Sequence, residues 1–504
     1  MILHTKVQKK KNGGNAFSND SVISGRTSES GSVLYKDRAA GEYIISFVFT
    51  VRNFFELAED MIASYFEIPM VLKVFQLSKY PALDSATLRS NLRAHIMDGA
   101  LFGFAMSLVS FNTILPVFIQ QVGGGVVAIG SVPVLWTIGL NFPQVIFIRL
   151  IHSGGPIKPS VLRYGLLHRC SFFLLGMVTF FVVPHISSTA SVPLLLVLLF
   201  FTAVGGSLGI PAWFHLFTKT TPMKLRGRLQ GVRQLLSSSL GILGGTIVTF
   251  VLSVFPFPEN FALLFIIAFS LTMMSYRYLH KLNEPSTETL NHSVGPSISI
   301  LADGRAIILR DKNFRNFLLA DAFTLMAMSA SAFYAVFAIE QFNLPASYAG
   351  TFTVIVMAGM VVGNIVFGFL ADSFGHKRNL MLLAGASAAG SIVAMSATNI
   401  LVYGLTFFFM AWTLSLQGIS RLSFVAELCT ERDRPMYIAL TNTVTAPTVA
   451  IGILFGWLAR VFGFHAMFAS AVCIGVLATA WFYFFVSDPR DDDRKIIRTE
   501  RESK

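Results

Sequence analysis

The chain has 504 residues, of which 54% are hydrophobic and 13% are charged, and its mean hydropathy is +0.63. Soluble proteins carry roughly 25% charged residues, which cover a solvated surface. The composition therefore excludes a soluble globular protein and predicts an integral membrane protein. The net charge of +12 falls in loops between apolar segments, where it orients a chain in the bilayer rather than indicating a nucleic-acid partner.

No residue pattern in the sequence indicates a metal, a cofactor or a catalytic centre. Cys170, Cys429 and Cys473 lie in or beside apolar segments without CxxC spacing, so we expect them to pack in the interior rather than to form disulfides or bind zinc. The sequence also lacks a Gly-x-x-x-x-Gly-Lys-[Ser/Thr] string for ATP and an HExxH pair. We therefore expect neither an enzyme nor an ATP-driven pump.

Twelve apolar segments are long enough to cross the roughly 30 Å hydrocarbon core of a bilayer, which takes about 20 residues of helix. Backbone groups must be hydrogen-bonded inside the membrane, so runs this long and continuously apolar predict helices. The predicted fold class is an all-α polytopic membrane protein with twelve transmembrane helices. We number these segments spans 1 to 12; they cover residues 95–120, 124–148, 162–184, 192–218, 230–255, 259–278, 315–342, 346–370, 379–397, 400–426, 435–459 and 465–487.

The charges of the connecting loops support this count. Lys and Arg residues occupy one set of alternate loops. The other set contains a single arginine in total; its loops are residues 121–125, 184–193, 255–260, 341–345, 398–400 and 460–465. Cytoplasmic loops retain Lys and Arg, so the pattern places both termini in the cytoplasm. We expect a multi-pass protein of the cell membrane or inner membrane.

The membrane region divides into two similar halves. A loop rich in Ser, Pro, Asn and His, residues 282–312, separates six spans in residues 93–281 from six spans in residues 313–487. Residues 91–107 resemble residues 314–329, each with one aspartate, and GILGG in span 5 matches GILFG in span 11. Parallel six-helix repeats joined by a cytoplasmic loop are a transporter architecture, with the site between the halves.

Three further segments flank the two halves. Residues 1–40 are basic at their start and then rich in Ser, Asn and Gly, which predicts a disordered cytoplasmic tail. Residues 41–92 mix apolar and charged side chains, so we expect amphipathic helices on the inner membrane surface or against the bundle. Residues 488–504 form a charged cytoplasmic tail. Packing support for span 1 is the simplest role of the N-terminal extension, and a regulatory or partner-binding role is the alternative.

The loop between spans 8 and 9 carries the most specific motif. It reads Gly368-Phe-Leu-Ala-Asp372-Ser-Phe-Gly375-His376-Lys377-Arg378. Gly368 allows a neighbouring helix to approach closely, the Asp372 carboxylate can face a helix N-terminus or a basic partner, and Gly375 permits a turn with positive φ. Lys377 and Arg378 hold the loop on the cytoplasmic side. The string resembles the loop motif of the major facilitator superfamily, G-x-L-A-D-x-x-G-[RHK]-[RK]-R.

This resemblance, over roughly residues 93–487, implies two six-helix bundles that rock about a central cavity lined mainly by spans 1, 4, 7 and 10. The corresponding loop of the first half, from Arg149 to Arg163, lacks the Gly-x-x-x-Asp core, which argues against a latch of the same kind there. Arg226 after span 4 and Arg434 after span 10 also look like family features. The two arginines either pair with cytoplasmic carboxylates in an outward-open state or serve only as topology signals.

Polar side chains inside the spans are functional candidates, because burial in lipid costs at least a few kcal/mol without a partner or water. We hypothesise that Asp321 with Arg421, and Asp98 with a basic neighbour, form ion pairs that close the inner gate while one carboxylate exchanges a proton. Static pairing, snorkelling and simple packing are the alternatives. The candidates on spans 1, 4, 7 and 10 are Asp98, Asn112, His215, Asp321, Tyr334, Gln417 and Arg421, with Glu340 and Glu427.

The remaining candidates for the cavity lining are aromatic or small: Phe104, Phe111, Trp213, Phe323, Phe333 and Trp412, with Ser107, Ser110, Thr324 and Ser331. Such a lining favours an amphipathic solute over a small, strongly charged one, although ordinary packing explains these residues more simply. The sequence therefore predicts a secondary transporter of a small-molecule substrate, with protons as the candidate coupling ion. A non-transporting assembly factor or receptor of the same fold is the alternative, indicated only by the extension.

Overall fold

A computed structural model of the protein describes residue 75 and residues 86–151, 156–285, 300–430 and 433–490. Within these ranges the regular secondary structure is helical, and they contain no strand. The predicted tail 1–40, most of the predicted amphipathic segment 41–92, residues 286–299 of the linker and residues 491–504 of the C-terminal tail lie outside the described residues.

The first six spans form the N-terminal bundle. Span 1 is divided into two helices, and a short 3-10 turn, Val183–His185, follows span 3. The hydrogen bonding of span 1 changes at Ser110, whose carbonyl accepts from both Ile114 and Leu115. The helices of this bundle are Ala86–Leu108 and Ile114–Gln121 for span 1, then Val126–Ile151, Lys158–Phe181, Ser188–Thr220, Met223–Val254 and Glu259–His280.

The last six spans form the C-terminal bundle. Span 7 is divided near its middle, as span 1 is, and span 11 contains a 3-10 turn, Ala446–Ala450, which includes Pro447, a residue without a backbone N–H. The helices of this bundle are Lys312–Met328 and Ser331–Gln341 for span 7, Tyr348–Phe374, His376–Ser396, Ile400–Glu427, Arg434–Thr445 and Ile451–Phe462 for span 11, and Phe464–Phe485.

The predicted twelve-helix architecture is confirmed. Ten of the described helical segments are long and apolar enough to cross a membrane. The other two predicted crossings coincide with the divided helix of span 1 and with the helix Val126–Ile151. Helices also begin before some predicted starts, at Ala86 in span 1 and at Met223 in span 5, because their polar first turns lie beyond the apolar run.

Helix contacts repeat between the two bundles. In the N-terminal bundle span 1 packs on spans 5 and 6, span 3 on spans 4 and 6, and span 2 on span 4. In the C-terminal bundle span 7 packs on span 12, span 9 on spans 10 and 12, and span 8 on span 10. Each of these second-half contacts has its equivalent six helices earlier. The weak sequence repeat therefore corresponds to two bundles of the same design.

The bundles meet through two equivalent helix pairs, span 5 with span 8 and span 2 with span 11. A Cβ atom on Gly245 would lie 2.7 Å from the backbone nitrogen of Val354 and 2.8 Å from the carbonyl oxygen of Gly350. A Cβ atom on Gly452 would lie 2.9 Å from the carbonyl oxygen of Gly130. Glycine at these positions lets the helix backbones touch. Both contacts lie near the end opposite the basic loops, which we call the outer end; the basic-loop end is the inner end.

At the inner end of the N-terminal bundle, Glu284 connects three segments. Its carboxylate accepts hydrogen bonds from the backbone N–H groups of Ile157 at 3.0 Å and Lys158 at 2.9 Å. The ammonium of Lys219, at the end of span 4, lies 2.7 Å from the same carboxylate. Burial alone would raise the pKa of Glu284, but these three hydrogen bonds and the Lys219 charge outweigh it and lower the pKa below its ordinary value of 4.5.

Asparagine side chains close the same end of each bundle in the same way. The Asn91 amide donates to the carbonyl of Asn283 at 3.0 Å and accepts from its N–H at 2.8 Å. In the C-terminal bundle, the Asn313 amide donates to the carbonyl of Ser487 at 3.1 Å and accepts from its N–H at 2.8 Å. Each pair joins the first helix of a bundle to the chain just after its last helix.

Two details differ from the sequence-based expectations. The linker 282–312 contains a helix, Ile300–Arg310, although its composition favoured irregular structure. Cys170 and Cys473 are exposed on helix surfaces, so the prediction that they pack in the interior is wrong. The physical reason is that a helix surface facing lipid is as apolar as one facing its bundle, so hydropathy does not distinguish them.

Replacing Gly245 with alanine tests the close contact between the bundles. The added methyl group overlaps backbone atoms of span 8, so spans 5 and 8 must separate, and we expect a loss of stability of about 1–3 kcal/mol, typical of overpacking. The measurement is thermal unfolding of the purified protein in detergent. Gly418→Ala, in a helix where an added Cβ meets nothing within 4 Å, serves as the control and should be neutral or slightly stabilising. Equal stability of the two variants would contradict the contact.

The pH dependence of stability tests the Glu284 contacts. A carboxyl group with a lowered folded-state pKa stabilises the fold fully above its unfolded pKa of about 4.5 and loses that contribution as the pH falls through the folded value. The difference in melting temperature between the wild type and Glu284→Gln should therefore be constant from pH 5 to 7 and shrink in more acidic buffer. A difference that does not shrink, or that equals the one for the exposed Glu259→Gln, would refute this assignment.

Candidate functional site

The predicted pair of Asp321 and Arg421 is present in the C-terminal bundle. The Nε of Arg421 donates to both carboxylate oxygens of Asp321, at 3.0 and 2.9 Å, and its Nη2 lies 2.8 Å from Oδ2. The Asp321 side chain is 1% exposed and that of Arg421 13%. The remaining guanidinium donors reach Asn442 Oδ1 at 3.0 Å and Thr445 Oγ1 at 2.9 Å on span 11. One acid and one base, with neutral neighbours, thus join spans 7, 10 and 11.

Asp98, at the equivalent position of span 1, also has basic partners. Arg233 on span 5 donates to Asp98 Oδ2 at 3.3 Å, and Arg169 on span 3 lies 3.9 Å from Oδ1. Ser275 on span 6 donates to Oδ1 at 2.7 Å. The prediction that Asp98 has a basic neighbour therefore agrees with the structure, which places two arginines there. We call Asp98, Arg169, Arg233 and Ser275 the N-terminal cluster.

The two arginines of this cluster are fixed differently. Arg169 donates to the carbonyls of Thr272 and Gly165, at 2.7 and 2.8 Å, and to Ser275 Oγ at 3.1 Å. Arg233 donates to the carbonyl of His95 at 2.7 Å, and its guanidinium carbon lies 4.8 Å from the ring centre of Trp213 on span 4. Arg233 therefore faces span 4, one of the helices that the resemblance assigns to the cavity.

Sequence reasoning missed Arg169 and Arg233, because it searched only spans 1, 4, 7 and 10. The available signal was the position of both arginines within or at the edge of an apolar run, where a charge needs a partner. Each of the two ion-pair clusters lies entirely within its own bundle. In this conformation, neither one bridges the two bundles, as the hypothesis of an inner gate would require.

The described hydrogen bonds between the bundles lie at the outer end. Thr113 and Thr353 share a hydrogen bond of 2.7 Å between their hydroxyl groups, and Ser331 donates to Asn112 Oδ1 at 3.4 Å. Gln120 donates to the Glu340 carboxylate at 2.6 Å. These contacts join the turn at Asn112 and Thr113, and the second helix of span 1, to the second helix of span 7 and to span 8. Asn112 and Glu340 thus take part in closing the outer end.

Two of the remaining polar candidates, Tyr334 and Gln417, make no described hydrogen bond or ion pair with these clusters. Tyr334 is buried, shares a hydrogen bond of 2.9 Å with Ser391 Oγ, and accepts at its backbone carbonyl from the Tyr403 hydroxyl, which is a packing role inside the C-terminal bundle. Gln417 is half-buried on span 10. His215 is exposed on span 4, two residues from Trp213.

Several aromatic lining candidates also pack inside the bundles. Phe104 is buried, and Phe111 stacks on Trp136 with ring centres 6.0 Å apart. Trp412 lines an apolar groove of about 600 Å³ among spans 8, 9, 10 and 12. These positions support ordinary packing for Phe104, Phe111 and Trp412. Phe333 is also buried, but it lies beside Gly130 of the other bundle.

The loop after span 8 is held by the end of span 10 and by the residues that follow span 12. Gly375 has a φ of +91°, as the motif predicted. Glu427 accepts from Arg490 Nη2 at 2.7 Å and lies 3.9 Å from His376 Nε2. Arg490 also donates to the carbonyl of Ala371 at 3.1 Å. Glu427 and the motif are therefore parts of one network at the inner end of the C-terminal bundle.

The other motif residues have few partners of the predicted kind. A Cβ atom on Gly368 would meet nothing within 4 Å, so the predicted close approach of a neighbouring helix is wrong for this conformation, in which the inner end of span 8 has no helix against that face. The side chains of Asp372 and Arg378 are exposed and Lys377 is half-buried. Arg378 lies over the Phe374 ring at 5.3 Å.

Arg226 and Arg434 do not pair with the described carboxylates in this conformation. Arg226 donates to the carbonyls of Thr218 and Thr221, at 2.7 and 3.0 Å, and so satisfies free carbonyls at the end of span 4. Arg434 begins the first helix of span 11, and its Nε is buried without a described hydrogen-bond partner. Their proposed pairing in an outward-open state stays a prediction.

The second half of the chain matches a known family in sequence. Residues 317–503 match the model of the Major Facilitator Superfamily. The cis,cis-muconate transport protein of Acinetobacter baylyi is 27% identical over 174 residues, which are 34% of this chain and 41% of that protein. The chain thus matches less than half the length of this curated relative.

The fold is similar to those of solved transporters. The nucleoside transporter NupG superposes with a TM-score of 0.63 at 13% identity, over 79% of this chain and 100% of that one. A D-xylose-proton symporter superposes with a TM-score of 0.63 at 14% identity, over 80% and 99%. The inward open xylose transporter XylE from E. coli superposes with a TM-score of 0.61 at 15% identity, over 80% and 97%.

Two bundles of six helices with repeated internal contacts define a multi-pass membrane protein, whose fold is that of the solved structures just described. The predicted resemblance to the major facilitator superfamily is confirmed, by sequence over the second half and by fold over about four-fifths of the chain.

Removing either partner of the Asp321–Arg421 pair should destabilise the protein by about 3–5 kcal/mol, since it leaves an unpaired buried charge. Asp321→Asn combined with Arg421→Gln should be less harmful than the sum of the two single changes, because the partners are coupled. Thermal unfolding of the three variants measures this, with the exposed Glu259→Gln as control. Additive losses, or an Asp321→Asn variant as stable as the wild type, would show that the pair does not act as a unit.

Proposed function

We propose that the protein is a secondary active transporter, which moves a small organic solute across the membrane by alternating access of its central region to the two sides. The observation that carries the proposal is the distribution of contacts between the bundles. Neutral hydroxyl and amide groups, one carboxylate and closely packed glycines join the bundles at the outer end. The described ion pairs stay within one bundle.

This distribution suits two bodies that rock against each other. Hydrogen bonds between neutral groups contribute only about 0.5–1.5 kcal/mol each, and the one to the Glu340 carboxylate about 1.5–3 kcal/mol, so the outer end can open at modest cost. The charges inside each bundle keep their partners during such a movement. The free energy for uphill transport would come from a gradient, and protons remain the candidate coupling ion through Asp98 or Asp321.

The similarity to a curated relative bears on the class of solute. The relative named as a cis,cis-muconate transport protein handles a dicarboxylate, which is consistent with a small organic acid as substrate here. The sequence-based preference for an amphipathic solute is compatible with an acid that carries an apolar body.

Labelling a buried cysteine tests whether the outer end opens. In a variant lacking Cys170, Cys429 and Cys473, we replace Thr353, which is buried between the bundles, with cysteine and add a membrane-impermeant maleimide from the outside. We expect slow labelling, because the site is reached only when the outer end opens. Adding Glu340→Ala removes the hydrogen bond from Gln120, so labelling should accelerate by about two- to tenfold.

A cysteine at Thr189, exposed in the first turn of span 4 at the outer end, is the matched control and should react equally fast in both backgrounds. Complete protection of the cysteine at position 353, with and without Glu340→Ala, would contradict alternating access. That result would favour the non-transporting assembly factor or receptor. A solute that is transported should change the labelling rate, which makes the same cysteine a screen for substrates.

A further inference from the structure

The N-terminal cluster carries one more positive than negative charge. Arg169 and Arg233 contribute two positive charges, and Asp98 is the carboxylate within 4 Å of them among the described residues. The three side chains are 5%, 11% and 5% exposed. The surrounding hydrogen-bond partners, Ser275, Thr272, Gly165 and His95, contribute hydroxyl and carbonyl groups. A net charge of about +1 therefore lies inside the bundle.

The C-terminal bundle does not share this excess. Asp321, which occupies the equivalent position to Asp98, is balanced by the single guanidinium of Arg421. Aligning GILGG of span 5 with GILFG of span 11 places Arg233 opposite Val444. The extra cation is thus a property of the first half and is not required by the repeated architecture.

An uncompensated charge in a membrane interior is costly. Removing an ion from water carries a large energetic penalty, which only a counter-charge or several hydrogen bonds offset. Carbonyl groups around Arg169 supply part of that compensation. Arg233 has five N–H donors available, and its described hydrogen bonds use two of them. It is the more exposed of the two arginines, so a further anionic partner is best accommodated there.

The surroundings of Arg233 suit an organic anion. A guanidinium fork matches the two oxygens of a carboxylate in a bidentate arrangement. The half-buried indole of Trp213 lies against the same guanidinium and stacks on Phe217 with ring centres 5.3 Å apart, so the edge of an apolar ring borders the charge. Trp213 belongs to span 4, one of the helices assigned to the cavity.

We infer that the transported solute is an organic anion bearing a carboxylate, which Arg233 binds beside Trp213. This inference rests on the proposed transport function and specifies its substrate class and one binding residue. Arg169, with three described hydrogen bonds to neutral groups, is a positioning residue that holds Asp98. The bound anion neutralises the charge that Asp98 leaves unpaired.

Binding to the purified full chain tests this inference without requiring transport. The probes are benzoate and adipate, each compared with its neutral amide, benzamide or adipamide, at constant chloride concentration and pH. We expect the carboxylates, but not the amides, to raise the melting temperature and to change the tryptophan fluorescence. The fluorescence change should be lost in Trp213→Phe while the thermal stabilisation persists.

Charge variants of Arg233 identify the residue responsible. Arg233→Gln should weaken carboxylate binding about tenfold to a hundredfold, as expected for losing a charged hydrogen bond, whereas Arg233→Lys, which keeps the charge but loses the bidentate geometry, should weaken it less. Circular dichroism and the unliganded melting temperature show whether each variant is folded. If Arg233→Gln does not fold, the comparison of Arg233→Lys with the wild type, in which a bidentate partner is replaced by a point charge, should still show weakened binding.

The inference is overturned if neither carboxylate binds, if the amides bind equally well, or if folded Arg233→Gln binds like the wild type. Stabilisation by chloride alone, which carboxylates do not displace, would also overturn it, since the counter-charge would then be an inorganic ion. Carboxylate binding through Arg233 in a protein that fails the outer-end labelling test would refute transport but not the anion site. Outer-end labelling that responds only to neutral solutes would refute the anion site but not transport.

Discussion

The interior of a bilayer offers no water to ionised groups, so every charge inside this protein needs a partner within reach. The arrangement of the charges follows from this constraint. The ion pairs of Asp321 with Arg421, and of Asp98 with Arg169 and Arg233, each lie inside one bundle. Each bundle is therefore a body that keeps these ion pairs, whatever its position relative to the other bundle.

The contacts between the bundles are of a different kind. Closely approaching glycine backbones and hydrogen bonds of Thr113, Asn112 and Gln120 hold the outer end together. Such contacts are specific in geometry but individually weak. Breaking them leaves the buried ion pairs within each bundle intact. Strong interactions within the bundles and weak ones between them are what a rocking mechanism requires. The excess positive charge beside Trp213 then gives an anionic solute a place in that mechanism.

The sequence was sufficient for features that depend on local composition. Hydropathy and loop charge predict the twelve spans, the motif predicts the positive φ of Gly375, and the rarity of ionised groups in apolar helices predicts the pair of Asp321 and Arg421. Features that depend on which faces meet were not predictable. Arg233 was overlooked because its direction toward span 4 appears only once span 5 is packed. Whether a helix packs closely against Gly368 depends on which end of the bundles is closed. The helix within the linker, Ile300–Arg310, lacks the length and apolarity by which the spans were recognised.

Distances between spin labels at the two ends test the account most directly. In a variant without native cysteines, one pair of labels at Thr189 and Thr398 reports the outer end, and another at Met223 and Ser373 reports the inner end; all four side chains are exposed. Pulsed electron resonance in lipid nanodiscs, across pH values and with added carboxylates, gives both distance distributions. We predict that whenever the outer distance lengthens the inner one shortens. Distributions that stay fixed, or that lengthen together, would contradict two bodies that alternate between closed ends.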